Sequence, residues 1–262
     1  MIPLADLLNA NADLNNARLV CDNEDLEMRT IKPIAKGEEI FNDYGQLPQS
    51  DLLRRYGYVT ERYSVYDVVE ISTVSIIATL RARNHHLSLE KLSEEDLQRR
   101  IELAEREGVY EEAYDLAHPG PDGPSIPDEL LALLYLLLLD DTNLESILSS
   151  NTALPSRSKL TTELVGQVLE VLLHAREEEY PTILEEDKEI LQAGNLGRRK
   201  EMALQVRLGE KVVLRAAVQE AKSFSGSNKR MRVPSQPEPV QKSNGKRSAE
   251  ESAYQRKKGR FR

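Results

Sequence analysis

Apolar and polar residues alternate along the first part of the chain with the two-residue period that favours β-strands. Arg18–Asp22 and Leu26–Thr30 both alternate in this way and are separated by three polar residues, a pattern that predicts a β-hairpin. Glu39–Asn42 predicts a further short strand after a glycine turn. Gln49–Tyr56 has helical spacing instead. We therefore expect residues 1–62 to form a small β-rich unit.

Beyond residue 62 the apolar residues recur every three or four positions, which is typical of amphipathic helices. Tyr66–Ile71 is one last β-like run. The predicted helices are Thr73–Arg83, Ser93–Glu107, Pro127–Leu148, Lys159–Glu178, Thr182–Ala193 and Arg198–Lys222. The longest apolar run, Leu130–Leu139, has ten residues, whereas a membrane span needs about 20. Residues 63–222 are therefore predicted to be an all-α domain with a leucine-rich core.

The net charge of −9 combines two parts of opposite sign. Residues 223–262 contain eleven basic and three acidic residues, which leaves 24 basic and 41 acidic residues in 1–222, a net charge of −17. The basic part has few apolar residues to offset the entropy of ordering, so we expect a disordered tail. A nucleic-acid-binding face should be basic. No stable nucleic-acid complex is therefore expected for the acidic body.

The cysteine and histidine content excludes several classes of site. A single cysteine, Cys21, rules out an internal disulfide framework and a four-cysteine zinc site. None of the four histidines has a second histidine or a cysteine four residues further on. Met1–Asp6 lacks the basic start of a signal peptide. We expect a soluble intracellular protein with no metal site and no membrane partner.

Short amide and carboxyl side chains crowd together after the apolar run Ile2–Leu8. They are Asn9, Asn11, Asp13, Asn15 and Asn16. Such side chains bond to neighbouring backbone and tolerate unusual dihedral angles, which predicts a tight, irregular loop. A calcium loop is disfavoured because most of these oxygens are amides and no glutamate follows at the twelfth position. By itself, the segment is best explained as a structural turn.

Two downstream segments place this loop in a recognisable order. They are Ile34–Gly45, with Gly37-Glu38-Glu39-Ile40 and Tyr44-Gly45, and Leu52–Val59, with Tyr56-Gly57. The order of an asparagine loop, a Gly-Glu-Glu-Ile strand and two Tyr-Gly pairs resembles the C-terminal half of a SET domain, the protein-lysine methyltransferase fold. The resemblance is closest to the branch with a Rubisco large-subunit methyltransferase-type helical domain. It implies an α+β fold class, with the C-terminal part of a β-rich SET domain at 1–62, an all-α substrate-binding domain at 63–222 and a disordered basic tail at 223–262.

The same resemblance implies the site residues and their chemistry. Tyr44 matches the family's catalytic tyrosine, and Asn9 matches the asparagine that holds the amino-acid moiety of S-adenosylmethionine. Ala10 stands where the family usually has a histidine that contacts the adenine of this cofactor, partly through its backbone. Tyr56 matches the aromatic residue that lies against the cofactor. The implied activity is methyl transfer to a lysine of a basic protein, with a ribosomal protein as the implied substrate. Without the resemblance, each tyrosine would be assigned to the core.

The resemblance also leaves alternatives. SET domains begin with a glycine-rich strand and turn, and this sequence contains no Gly-x-Gly. The expectation is therefore that the chain is the C-terminal part of such an enzyme. A catalytically incomplete module that binds a basic protein through its helices is one alternative. A nucleic-acid- or ribosome-binding protein that acts through its tail is another.

Basic residues in the tail form three clusters. They are Lys229–Arg232, Lys246-Arg247 and Arg256–Arg260. This pattern is typical of a nuclear-import signal, so an import receptor is an expected partner, and the nucleus, alongside the cytoplasm, is the expected location. A merely solvating tail is the alternative.

Overall fold

The structure, a computed structural model, describes residues 5–22, 25–82, 87, 89, 92–120, 123–150 and 153–232. Short strands near the start are followed by helices, which confirms the α+β fold class. The strands are β1 (Asn9–Ala10), β2 (Ala17–Asp22), β3 (Asp25–Thr30), β4 (Phe41–Asn42), β5 (Val68–Ser72) and β6 (Ala113–Ala117). The α-helices are α1 (Gln49–Tyr56), α2 (Thr73–Arg81), α3 (Glu94–Arg106), α4 (Asp128–Leu138), α5 (Asp141–Ser150), α6 (Arg157–Leu160), α7 (Glu163–Glu177), α8 (Leu184–Ala193) and α9 (Arg198–Lys222). Short 3₁₀ helices span Ala5–Leu7 and Glu61–Tyr66.

The first part of the chain contains the predicted hairpin and helix. Strands β2 and β3 pair antiparallel along their whole length, and α1 spans the predicted residues. The strand predicted at Glu39–Asn42 is shorter than expected. Only its last two residues form β4, which pairs in parallel with β1 through Asn9 opposite Phe41 and Ala10 opposite Asn42. Two such short strands bring the asparagine loop beside the segment that precedes Tyr44.

The helical part follows the predicted periodicity with two breaks and one unpredicted strand. The predicted helix Pro127–Leu148 divides after residue 138 into α4 and α5, and Lys159–Glu178 divides after residue 160 into α6 and α7. Strand β6 pairs antiparallel with β5 and buries Tyr114 and Leu116 between more exposed neighbours. Its partner strand β5 lies in a distant part of the chain, which local periodicity does not report.

Helix α4 is the centre of the core. All of its residues from Leu130 to Leu138 are buried, and α3, α6 and α7 all contact it. A helix that is apolar on every side needs protein around it. The leucine run noted in the sequence is therefore a central helix of the domain, and α7 packs in turn on α9.

Residues 223–232, predicted as the start of the disordered tail, pack on the helical domain instead. At the break between α6 and α7, the Gly226 N–H donates to the Thr161 carbonyl, and the Gly226 carbonyl accepts from the Glu163 N–H, both at 3.0 Å. Near the other break, Met231 is only 4% exposed. Helix ends leave backbone groups without intrahelical partners. This segment supplies partners at both breaks.

The bonds at the α4–α5 break correct the predicted start of the tail. The Arg230 carbonyl accepts from the Asp140 N–H at 2.9 Å, and the Arg232 N–H donates to the Leu138 carbonyl at 2.8 Å. Disorder predicted from residue 223 was therefore wrong for residues 223–232, because composition does not report partners far away in the sequence. The remainder of the predicted tail, residues 233–262, lies outside the described residues.

A buried ion pair holds α8 against α9. Asp187 accepts from Lys211 Nζ at 2.6 Å and from Arg207 Nε at 2.9 Å, and the side chains of Asp187 and Lys211 are fully buried. Burial acts to raise the pKa of Asp187, but hydrogen bonds from Arg207, Lys211 and Thr182 outweigh it and lower the pKa. Removing one partner of such a pair leaves an uncompensated buried charge. The interaction therefore fixes how α8 lies on the long helix α9.

A second buried carboxylate docks the segment that carries α1 onto α9. Asp67 accepts hydrogen bonds from the backbone N–H and the Nε2 of Gln49, the first residue of α1, both at 2.8 Å. On its other side, Asp67 lies so close to Gly209 of α9 that a Cβ there would overlap the carboxylate. Burial raises the pKa of Asp67, while the two bonds from Gln49 act in the opposite direction. The absence of a side chain at Gly209 is what allows this approach.

We expect Gly209→Ala to lower the free energy of unfolding by about 1–3 kcal/mol, the usual cost of overpacking. Helix propensity alone predicts the opposite sign, since Ala in a helix interior is more favourable than Gly by about 1 kcal/mol. Urea unfolding followed by circular dichroism measures the change. Ala203→Gly, at an exposed position of the same helix, is the control that measures propensity alone. A Gly209→Ala protein as stable as the parent would contradict this docking contact.

Candidate active site

The asparagine loop is held by its own side chains. The Asn11 Oδ1 accepts from the backbone N–H groups of Asp13 and Leu14, both at 3.0 Å. Asn16 reaches across to the strand before Tyr44, where its Oδ1 accepts from the Phe41 N–H at 2.8 Å and its Nδ2 donates to the Glu39 carbonyl at 2.9 Å. The tight, irregular loop predicted from these residue types is therefore present, and it fixes the path of residues 39–41 as well as its own.

Tyr44 lies at the meeting point of the two segments. Its hydroxyl donates to the carbonyl of Leu8 at 2.7 Å, and Leu8 is the residue before Asn9. The ring centroids of Tyr44 and Tyr56 are 4.4 Å apart, with the rings inclined by 48°. Gly45 follows with a φ of 103°, which a residue with a side chain adopts only with strain. The chain therefore turns immediately after Tyr44.

The remaining predicted site residues lie beside this pair. Asn9 is exposed, and its Nδ2 donates to Glu39 Oε1 at 2.7 Å. Ala10 is partly buried opposite Asn42 in the β1–β4 pair, so only its backbone carries polar groups. The structure thus brings Asn9, Ala10, Tyr44 and Tyr56 into one region, and the roles implied for them stay predictions.

Three residues in this region, Asp43, Tyr58 and Tyr63, were not predicted from the sequence as site residues. Tyr63 is buried, and its hydroxyl donates to Asp43 Oδ2. The hydroxyl of Tyr58 is buried and has no hydrogen-bond partner within the described ranges. Tyr58 directly follows the second Tyr-Gly pair, but a sequence motif does not report which hydroxyl has a hydrogen-bond partner. Tyr63 is 20 residues away from its partner Asp43 along the chain. Only the folded chain identifies them.

Burial and nearby acid raise the pKa values of both tyrosines. Burial raises the pKa of Tyr58 to about 12, with further contributions from Asp43 and Tyr44. Burial also raises the pKa of Tyr63 to about 12, together with its hydrogen bond to Asp43. Both hydroxyls therefore stay protonated at neutral pH. They can donate hydrogen bonds but cannot act as bases there.

The 3₁₀ helix Glu61–Tyr66 holds the loop from the other side. The Thr60 hydroxyl donates to Asp13 Oδ2, and the Arg62 guanidinium donates to the Ala12 carbonyl, both at 2.9 Å. A small core of its own lies beneath the loop; its buried residues are Ala12, Leu52 and Tyr63. The site is therefore supported by a local core distinct from the large leucine core.

Two other features are absent from the described part of the chain. It contains no group of three or more histidine, cysteine or acidic side chains placed to hold a metal ion. Each helix there is too short or too polar to cross a bilayer.

Comparison with known proteins finds a family model and several relatives that the chain resembles. Residues 88–214 match the family described as Rubisco LSMT substrate-binding. The chain is 46% identical over 81 residues to ribosomal lysine N-methyltransferase 4 of Saccharomyces cerevisiae, an alignment that covers 31% of this chain and 16% of that protein. It is 27% identical over 213 residues to the Schizosaccharomyces pombe protein of the same name, covering 78% of this chain and 42% of the relative.

A longer alignment and a solved structure extend these comparisons. Human N-lysine methyltransferase SETD6 is 27% identical over 239 residues, covering 82% of this chain and 47% of that protein. The structure of Rubisco LSMT bound to AdoMet superposes with a TM-score of 0.56 at 19% identity, covering 85% of this chain and 49% of that one. The chain therefore shares the fold of the part of that structure on which it superposes, and it spans about half the length, or less, of the proteins that it matches.

We expect Tyr58→Phe to leave the free energy of unfolding unchanged or to raise it, because the change removes a buried hydroxyl that lacks a partner. Tyr63→Phe is the matched comparison and should lower stability by about 1.5–3 kcal/mol, since its hydroxyl bonds to a carboxylate. Urea unfolding of both variants measures the difference. If Tyr58→Phe costs as much as Tyr63→Phe, the Tyr58 hydroxyl has a partner after all.

Proposed function

We propose that this chain acts in S-adenosylmethionine-dependent methylation of protein lysines at the region around Tyr44. Residues 88–214 match the family described as Rubisco LSMT substrate-binding, which supports the proposal. The observation that carries the proposal is the position of Tyr44, with its hydroxyl on the Leu8 carbonyl and its ring against Tyr56. The names of the fungal and human relatives support the same activity.

The residues around Tyr44 fit S-adenosylmethionine in chemical type. Tyr56 is 43% exposed, and an aromatic face attracts a cation such as a sulfonium. Asn9 presents an exposed amide, which suits the charged amino-acid moiety. When bound, this cofactor supplies a methyl group on a sulfonium sulfur, which departs as a neutral thioether. Asn9, Tyr56 and the backbone of Ala10 are the groups that we assign to holding it.

Tyr44 is assigned the task of orienting the lysine amine. Its hydroxyl hydrogen is already donated to Leu8, so the oxygen lone pairs remain to accept an N–H of the deprotonated amine. An amine held in this way can direct its own lone pair at the methyl carbon. Alignment of the reacting atoms is a large part of what an enzyme contributes to such a transfer.

The protein substrate is assigned to a basic class, with a ribosomal protein as the specific candidate. The fungal relatives carry that substrate in their name. Residues 1–222 have a net charge of −17, and exposed acidic residues such as Glu178 and Glu189 lie on or beside α7 and α8. A surface of one sign speeds encounter with a partner of the other. A helical module that binds a basic protein without methylating it is the competing outcome.

The assay uses a chimera in which the part of the Schizosaccharomyces pombe relative that precedes its aligned region is joined to Met1. With labelled S-adenosylmethionine and ribosomes, we expect transfer of label to a ribosomal protein. Tyr44→Phe should reduce this transfer by about 10²–10³-fold, the typical value of one orienting or electrostatic group. Tyr66→Phe, outside the Tyr44–Tyr56 pair, is the control.

A second chimera, built in the same way on human SETD6, controls for inactivity that is caused by the fusion point and not by this chain. If both chimeras unfold cooperatively and neither transfers label, the proposed activity is wrong. Transfer that is unaffected by Tyr44→Phe would remove Tyr44 from its assigned role. Binding of a basic ribosomal protein without transfer would favour the competing module.

We also propose that the basic sequence after residue 232 directs the protein to the nucleus. The first basic cluster, Lys229–Arg232, is part of the packed segment, since Met231 is buried and its neighbours bond to the α4–α5 break. We therefore expect a reporter fused to residues 233–262 to enter the nucleus to the same extent as a reporter fused to residues 223–262. Changing Lys257, Lys258 and Arg260 to Ala should weaken import. Even distribution of both reporters through the cell would refute the proposal.

A further inference from the structure

The carboxylate of Asp43 stands between the proposed catalytic tyrosine and the core beneath it. Asp43 directly precedes Tyr44, and its two carboxylate oxygens have different partners. Oδ1 accepts from the Gly45 N–H at 3.0 Å, and Oδ2 accepts from the Tyr63 hydroxyl. Its own N–H donates to Asn42 Oδ1 at 2.8 Å. The Asp43 carboxylate thus links the two residues that flank Tyr44, Asp43 itself and Gly45.

Tyr63 provides a rigid anchor for that carboxylate. It is 3% exposed and forms part of the small core with Ala12 and Leu52. Its ring packs edge-on against Tyr66, with the centroids 5.6 Å apart. A ring that is packed on several sides cannot easily move, so the position of its hydroxyl oxygen is fixed. The Tyr63 hydroxyl therefore marks a fixed point to which the turn Asp43–Gly45 is bonded.

We propose that Asp43 and Tyr63 are positioning residues that hold Tyr44 in line for methyl transfer, an inference that rests on the function proposed above. The turn that they fix determines the position of the Tyr44 backbone. The hydrogen bond to the Leu8 carbonyl determines the position of the Tyr44 hydroxyl. If the Tyr63 hydroxyl is removed, one carboxylate oxygen of Asp43 loses its donor and the turn can shift. The Tyr44 oxygen then moves relative to both the Leu8 carbonyl and the incoming amine.

The hydrogen bond that carries this inference is of the stronger kind. A neutral hydroxyl that donates to a carboxylate forms a charge-assisted bond, which is about twice as strong as one between neutral groups. Because the raised pKa of Tyr63 keeps its hydroxyl protonated, the bond persists over the whole neutral range. The positioning should therefore not depend on pH near neutrality.

The test compares Tyr63→Phe with its parent in the chimera that shows transfer. We expect kcat to fall by about 10- to 100-fold, the cost of a small misplacement of a reacting group. The KM for S-adenosylmethionine should stay within about twofold, because an effect on orientation acts on the transition state and not on binding. The fall should be the same from about pH 6 to pH 9, since the Tyr63 hydroxyl does not titrate there. Tyr66→Phe keeps the ring contact with Tyr63 and is the matched control.

A double-mutant cycle with Asp43→Asn separates positioning from loss of stability. Asp43→Asn removes the negative charge and leaves one acceptor oxygen for two donors, the Gly45 N–H and the Tyr63 hydroxyl. The side chain can then no longer accept from both. If Tyr63 acts through Asp43, the double variant should lose no more kcat than the more damaging single variant. Assays are run well below the melting temperature of each variant.

The outcomes distinguish this inference from the function on which it rests. Absence of transfer in both parent chimeras contradicts the proposed function itself. An active parent whose kcat is unchanged in Tyr63→Phe overturns the positioning role and leaves the function standing. Fully additive losses in the double variant would also overturn it, because the two side chains would then act independently.

Discussion

The buried carboxylate of Asp67 is the contact on which the geometry of this molecule depends. It is the point where the segment that carries the candidate site meets the long helix α9 of the helical domain. Two donors from Gln49 satisfy it on one side, and the bare backbone of Gly209 makes room for it on the other. A buried charge without such partners would be costly. The two hydrogen-bond donors of Gln49 and the absence of a side chain at Gly209 are therefore both required.

Beyond this contact, the site is built mainly by side chains that bond to residues far away along the chain. The strands β1 and β4 have two residues each, and so few ladder bonds cannot define a loop by themselves. Asn16, Thr60 and Arg62 supply the missing connections, since each bonds to a segment more than 20 residues away. The result is a region in which Tyr44 is located by polar bonds at both ends and by a small apolar core beneath.

The helical domain solves a different problem, the burial of an uninterrupted leucine run. Helix α4 needs protein on every side. The breaks between α4 and α5 and between α6 and α7 leave helix ends whose backbone groups need partners. The segment 223–232 returns to those breaks and bonds to both. The buried pair of Asp187 and Lys211 then fixes α8 on α9. The acidic charge of residues 1–222 is left largely to the surface, which suits the basic protein substrate proposed here.

The sequence by itself determined the local features: the hairpin, the boundaries of α1 and α9, the helical periodicity and the tight asparagine loop. Each depends on residues a few positions apart, so periodicity and residue type are sufficient to predict it. The order of the motifs also placed Asn9, Tyr44 and Tyr56 in one region, although their roles stay predictions. Only the tertiary structure decided the strand β6, the two helix breaks, the packing of 223–232, the bond from Tyr63 to Asp43 and the joint at Asp67. These features join residues that are far apart along the chain, and the energy of such a contact depends on the burial and partners that exist only once the chain has folded.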